Sequence, residues 1–225
     1  NTILLAPTGS GKTIGFLLPV LKMLDANKDQ IQALVLAPSR ELSIQIEQVF
    51  KSMKTGCRSL CCYGGHAVSV EKKSLQARPP LLIGTPGRIA DHLRREHIDT
   101  AGIQILVLDE FDKSLEFGFE NEMSFIIGRL NQLQKRVLTS ATQSLIIPDF
   151  TGLNNPATLN YLAAGPAEGL ALKMVVSDSI EKTETLFRLL CHLGNHSTLV
   201  FCNHREAVER ISRFLSERQL ENDIF

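Results

Sequence analysis

Apolar residues along the chain fall into short unbroken runs separated by longer amphipathic stretches. The runs are TILLA (2–6), ALVLA (33–37), LLIGT (81–85), ILVLD (105–109) and VLTS (137–140). Runs without polar alternation predict strands buried on both faces, as a parallel sheet requires. RSLCCY (58–63) is a weaker candidate of the same kind. Helical spacing takes over between the runs. In 40–54, Leu42, Ile46, Val49, Phe50 and Met53 share one face. In 14–24 the stripe is Ile14, Leu17, Leu18, Leu21 and Leu24, and Pro19 is expected to kink that helix or remove one of its hydrogen bonds. In 86–95, Thr85 is a fitting N-cap, Pro86 a fitting first helical residue, and Ile89 and Leu93 the stripe. Strand and helix in alternation predict an α/β fold with a parallel sheet wound on both faces.

The pattern breaks once. AAGPAEGLA (163–171) collects Gly, Pro and small residues and reads as a linker. It separates a first domain, 1–162, from a second segment, 172–225. In that segment a strand is expected near 172–177, then a helix over 180–193 capped by Ser179, a strand at TLVFC (198–202) and a helix over 205–218. Two strands in about 55 residues bury too little surface to stand alone, so the second domain is expected to be cut short at Phe225.

Composition changes this picture little. The chain has 225 residues, 44% hydrophobic and 21% charged, with Lys+Arg equal to Asp+Glu at 24 each. No global basic field advertises a polyanion, so one would have to be held in a local groove. No apolar run reaches the ~18 residues of a membrane span. The five cysteines (57, 61, 62, 191 and 202) form no C-x-x-C pair and read as reduced packing residues of a cytosolic protein. His192 and His196 flank Gly194 and Asn195 and read as a helix end rather than a zinc pair.

The chemistry lies where the apolar runs stop. APTGSGKT (Ala6, Pro7, Thr8, Gly9, Ser10, Gly11, Lys12, Thr13) follows the first strand and opens a helix. Glycines there let backbone N–H groups wrap a phosphate chain, and the helix N-terminus adds a favourable field. Lys12 can reach the β- and γ-phosphates, and Thr13 can offer its hydroxyl to Mg²⁺. Ala6 stands where the strict pattern has its first Gly. At the end of ILVLD, Asp109, Glu110 and Asp112 crowd into four positions. Taken alone, DEFD (109–112) reads equally as an acidic helix cap. In an open parallel sheet, however, ligands bind beyond the carboxyl ends of the strands, so Lys12 and Asp109 share an edge. Asp109 is then placed to hold the Mg²⁺ that Thr13 touches, and Glu110 to orient and deprotonate a water.

These stretches resemble the DEAD-box ATP-dependent RNA helicases of helicase superfamily two. APTGSGKT, PSREL (38–42), GG (64–65), TPGR (85–88), DEFD (109–112), SAT (140–142) and LVFCNHREA (199–207) occur in that family's order across nearly the whole chain. The resemblance implies a RecA-like first domain and the start of a second. It implies ATP and Mg²⁺ as cofactors, single-stranded or short duplex RNA as partner, and a cytoplasmic monomer that hydrolyses ATP to unwind or remodel short duplexes. It assigns an RNA track to Pro38, Ser39, Arg40, Gly64, Gly65, Thr85, Gly87 and Arg88. By spacing alone, Arg40 and Arg88 read equally as solvated helix starts, and Gly64–Gly65 as an ordinary loop. It gives Ser140 and Thr142 the task of bonding Asp112.

The family has Ala where this chain has Phe111, and more often Arg where it has Lys113. Its adenine-reading glutamine segment and its arginine-rich motif would lie upstream of Asn1 and beyond Phe225. The chain as given is therefore expected to bind nucleotide weakly and hydrolyse almost none. Two other readings share many of these features: a DNA translocase of the same superfamily, and an ATP-gated RNA clamp without unwinding.

Overall fold

The structure is a computed structural model that describes residues 1–225 except 66, 143–146, 163–170, 172 and 178–181. It divides into two compact units, Asn1–Gly165 and Pro166–Phe225. The expected linker, apart from Ala171, lies outside the described residues.

The first unit is a seven-stranded sheet. Its strands are β1 (Thr2–Leu5), β2 (Ala33–Leu36), β3 (Ser59–Cys62), β4 (Leu81–Gly84), β5 (Ile105–Leu108), β6 (Lys135–Ser140) and β7 (Ala157–Asn160). Their order is β3-β4-β2-β5-β6-β1-β7, and every pairing is parallel. All carboxyl ends therefore lie along one edge. The helices are α1 (Lys12–Met23), α2 (Arg40–Ser52), α3 (Val68–Leu75), α4 (Pro86–Arg94), α5 (Phe111–Glu116) and α6 (Glu120–Arg129).

Alternation of side chains across the strands splits the core in two. Leu34, Leu36, Leu82, Leu106, Leu108 and Leu138 pack with Ile89 and Leu93 of α4, Met123 and Ile126 of α6, and Phe111. Ala33, Val35, Leu81, Ile83, Ile105 and Val107 pack instead with Phe16, Leu17 and Val20 of α1 and Ile46 and Phe50 of α2. Both faces of β2, β4 and β5 are thus covered, which is why these runs show no polar alternation. Gly84 closes β4 for a steric reason. A Cβ there would sit 2.5 Å from the Cys62 carbonyl oxygen and 2.8 Å from Ile89. Helix α1 runs through Pro19, which is exposed and lacks the N–H that would reach the turn before it.

The second unit contains α7 (Thr183–Leu193) and α8 (Arg205–Glu217). Phe187 and Phe214 meet edge to face at 6.4 Å, and the Arg218 guanidinium lies 3.7 Å above Phe214 while bonding Glu184 at 3.1 Å. The two strands expected here are not formed: neither 173–177 nor 198–202 enters a ladder. A buried parallel strand needs paired neighbours and a covered face. Met174, Leu199 and Phe201 have neither cover nor ladder and are largely exposed.

Candidate nucleotide and RNA edge

β6 lies between β1 and β5, with Leu5 opposite Ser140 and Leu138 opposite Leu108. The phosphate-loop candidate leaves β1, and the acidic box leaves β5. At roughly 4.8 Å per strand spacing these two exits are about 10 Å apart, a gap that a metal-bound triphosphate and two side chains can bridge. The loop is tied to its neighbour directly, because the Ala6 N–H donates to the Ser140 carbonyl at 3.1 Å. Gly9 and Gly11 take φ of 80° and 87°, and Gly11 caps α1 in that left-handed conformation. A side chain at either position would be strained whatever the space around it. Thr8, Gly9 and Ser10 are exposed, and Thr13 is half-buried in the first turn of α1. The Lys12 ammonium sits over the loop, donating to the carbonyls of Ala6 at 2.7 Å and Pro7 at 3.0 Å.

Across the edge, Asp109 is 4% exposed and Asp112 6%. Burial raises the Asp109 pKa, opposed by the Thr139 hydroxyl, the Lys12 charge and the Glu110 N–H. Burial also raises that of Glu110; the Asp109 charge adds to the rise and Lys12 opposes it. The ammonium is therefore near enough to act on both acids. Glu110 occupies the N-cap of α5 at φ 45°, ψ 53°, yet its side chain makes no capping bond. The reading of DEFD as a simple acidic helix cap does not hold. Thr142 Oγ1 donates to Asp112 Oδ2 at 3.1 Å, whereas Ser140 Oγ bonds Thr142 instead of Asp112. The expectation that both hydroxyls reach Asp112 is corrected: Ser140 stands at the strand end, one step back, and positions Thr142.

Carboxylate and hydroxyl oxygens suit Mg²⁺. The donor set here consists of Asp109 and Thr13, beside two further acids. The buried Asp112 Oδ1 has no hydrogen-bond partner among the described residues. This surplus of negative charge fits a bound cation.

Thr139 is the residue that sequence reasoning missed. It is fully buried on β6, its Oγ1 donates to Asp109 Oδ1, and it accepts the Glu110 N–H at 3.1 Å. The sequence signal was a hydroxyl inside an otherwise apolar run.

The remaining candidates leave β2, β3 and β4, on the other half of the same edge. Pro38 is buried at the β2 exit, and Ser39 caps α2 by accepting the Leu42 N–H at 3.2 Å. The Arg40 guanidinium lies 4.9 Å above the Tyr63 ring, and a Cβ on Gly65 (φ 107°) would approach its Nη1 at 3.4 Å. PSREL and the Gly64–Gly65 turn therefore meet. Thr85 precedes α4 in extended conformation but its side chain makes no capping bond, contrary to expectation. The half-buried Gly87 lies in the first turn of that helix.

Arg88 is not a solvated helix start. Its side chain is 11% exposed and donates to Glu71 Oε2 at 2.5 Å. The same oxygen bonds His92 Nε2 at 2.6 Å, and Glu71 Oε1 accepts the Tyr63 N–H at 3.1 Å. Burial would raise the Glu71 pKa, but bonds from His92, Arg88 and Tyr63 outweigh it and hold the carboxyl low. Cys62, Glu71 and His92 lie close enough to share a metal ion. The guanidinium on Glu71 already supplies the positive charge, and burial keeps the Cys62 thiol protonated by pushing its pKa up. Cys57, Cys61, Cys62 and Cys202 are buried or half-buried, as packing residues should be, but Cys191 is exposed.

Comparison with known proteins bears on family and fold. Residues 1–148 match the family model described as DEAD/DEAH box helicase. The chain is 32% identical to eukaryotic initiation factor 4A of Caenorhabditis elegans, over 97% of this chain and 56% of that protein. It is 31% identical to the DEAD-box ATP-dependent RNA helicase RhpA of Helicobacter pylori, over 99% of this chain and 46% of that protein. It thus spans about half the length of these curated relatives. A crystal structure of a DEAD box protein from the hyperthermophile Methanococcus jannaschii superposes with a TM-score of 0.64 at 28% identity. The match covers 97% of this chain and 60% of that one.

Proposed function

Because the chain belongs to the DEAD/DEAH box helicase family, we propose that it is the nucleotide-binding part of an ATP-dependent RNA helicase. On this reading it binds ATP–Mg²⁺ and single-stranded RNA and couples hydrolysis to the remodelling of short duplexes. The observation that carries the reading is the shared edge: Lys12 leaves β1 and the Asp109–Glu110 pair leaves β5, with Thr139 and the carbonyl of Ser140 bonded to the two sides.

The roles follow from the chemistry of each group. The loop from Ala6 to Thr13 wraps the triphosphate, and Lys12 exchanges the carbonyls of Ala6 and Pro7 for phosphate oxygens. Thr13 and Asp109 would hold Mg²⁺, which would supply positive charge to offset that of the triphosphate. Glu110 orients the attacking water and accepts its proton; its raised pKa makes it the better base. Thr142 reports on Asp112 and so connects the acidic box to the segment after β6. On the other half of the edge, the N-termini of α2 and α4 with Arg40 meet RNA phosphates, contacts indifferent to base sequence. Residues 172–225 are read as the beginning of a second RecA-like lobe, after a linker at 163–171.

Glu110→Gln tests the reading in the full-length protein. RNA-stimulated ATP turnover is expected to fall at least about a hundredfold, with ATP and RNA binding retained. Unchanged turnover would refute the assignment, and stimulation by DNA in preference to RNA would move the protein to a translocase.

A further inference from the structure

The acidic box does not stand alone: β6 and the residues after it turn hydroxyls toward it. Thr142 takes the Asp112 carboxylate, and Thr139, the residue just before the Ser-Ala-Thr motif, takes the Asp109 carboxylate and the Glu110 backbone N–H. From this geometry we infer that Thr139 is a positioning residue for the hydrolysis reaction, holding the Asp109 carboxylate and the Glu110 backbone in register for one metal–nucleotide complex. The inference rests on the functional reading given above.

Three observations support it. First, the direction of both bonds is fixed. A backbone N–H can only donate, so Thr139 Oγ1 accepts from Glu110 and spends its own proton on Asp109 Oδ1. One hydroxyl thus sets the orientation of the metal-binding carboxylate and the path of the next residue. Second, Glu110 holds the left-handed conformation, φ 45° and ψ 53°, which a residue with a Cβ avoids. The bond from its N–H to Thr139 is a contact outside its own helix that supports this bend, and the bend decides where the Glu110 carboxylate points. Third, Thr139 is fully buried on a strand paired to both β1 and β5. Its position is therefore set by the sheet and not by solvent. A hydroxyl in the interior of an apolar strand end is costly unless bonded, and here both of its partners belong to the acidic box.

Thr139→Val removes the hydroxyl and keeps the shape; Thr139→Ser keeps the hydroxyl. In the full-length protein, affinity for a fluorescent ADP analogue is measured with Mg²⁺ and with EDTA, together with RNA-stimulated ATP turnover. Thr139→Val is expected to lose about tenfold of the Mg²⁺-dependent affinity gain, the size of one hydrogen bond to a charged group. It should leave the affinity in EDTA unchanged and cut turnover by at least the same factor. Thr139→Ser should recover both. A purely structural role would lower affinity with and without Mg²⁺ alike. Should Thr139→Val not fold, Thr139→Ala, which is smaller than the native side chain, carries the same test. Equal Mg²⁺-dependent affinity in hydroxyl-free variant and wild type overturns the inference and leaves the functional reading intact. A wild-type protein without any Mg²⁺-dependent nucleotide affinity overturns that reading and the inference together.

Discussion

The two halves of the sheet edge solve opposite electrostatic problems. Beyond β5 and β6, three acids gather around buried positions with Lys12 as the opposing cation, and burial pushes Asp109 and Glu110 toward the protonated form. Beyond β3 and β4, the buried carboxylate of Glu71 is met by Arg88, His92 and the Tyr63 N–H, and its pKa is held down. One half carries a charge surplus that a metal ion would relieve; the other is neutralised within the protein and offers helix N-termini and Arg40 to a ligand. A site for a small ion can be left unbalanced, because binding completes it. On the proposed reading, a track for a long polyanion must be held in shape before the ligand arrives, and the internal ion pair of Glu71 with Arg88 would do that.

The largest effect that would break this contrast is on stability. Glu71→Ala takes the carboxylate from the buried Arg88 guanidinium and a hydrogen-bond partner from His92, and should cost about 3 kcal/mol. Thermal melting reads this as a fall of roughly 6–12 °C for a chain of this length. The acid side has a definite sign. A carboxyl with a depressed pKa contributes stability above the ordinary carboxylate pKa of about 4.3 and loses it as pH falls through the folded value. Glu71→Gln should therefore flatten the acid limb of the melting profile.

Asp109→Asn should act in the opposite direction. A raised carboxyl pKa makes the ionised side chain a cost at neutral pH, relieved as pH falls through the folded value. In EDTA at pH 7, this variant should melt higher than wild type. The difference from wild type should shrink on acidification. If Glu71→Gln and Asp109→Asn shift the melting temperature in the same direction, the two halves are not electrostatic opposites.

The smallest effect sharpens the RNA half. Arg40→Ala should weaken RNA binding about fivefold and uniformly across base sequences, and lower the salt slope by about one. A change confined to particular sequences would mean that Arg40 reads bases rather than phosphates.

Much of this edge was legible in the sequence because its strands are buried on both faces. ALVLA, LLIGT and ILVLD became β2, β4 and β5, and the glycines of the phosphate loop announced their own geometry. Strand β7 was not legible: ATLN is exposed throughout and is held by its ladder to β1 rather than by an apolar face. Helix α3 was hidden because it buries only Glu71 and Leu75, and a charged residue does not register in an apolar stripe. Helix α6, ten residues from Glu120 to Arg129, was hidden because its buried residues Met123, Ile126 and Ile127 span little more than one of its turns.

In the second unit the error ran the other way. TLVFC has the composition of a strand, yet strand structure requires a partner edge that composition does not supply. At the site, single-residue chemistry was readable and pairwise chemistry was not. Nothing in the spacing distinguished Thr142, which reaches Asp112, from Ser140, which does not. Nothing marked Arg88 as half of a buried pair with a residue 17 positions away.

The most direct test of the central claim is a crystal structure of the full-length protein with Mg²⁺ and a non-hydrolysable ATP analogue. The account predicts one metal ion beyond the ends of β1 and β5, octahedral at about 2.0–2.1 Å. Thr13 and Asp109 should reach it directly or through its waters, with Lys12 moved from the Ala6 and Pro7 carbonyls onto phosphate oxygens. A nucleotide bound elsewhere, or a metal ion that Asp109 does not approach, would contradict it.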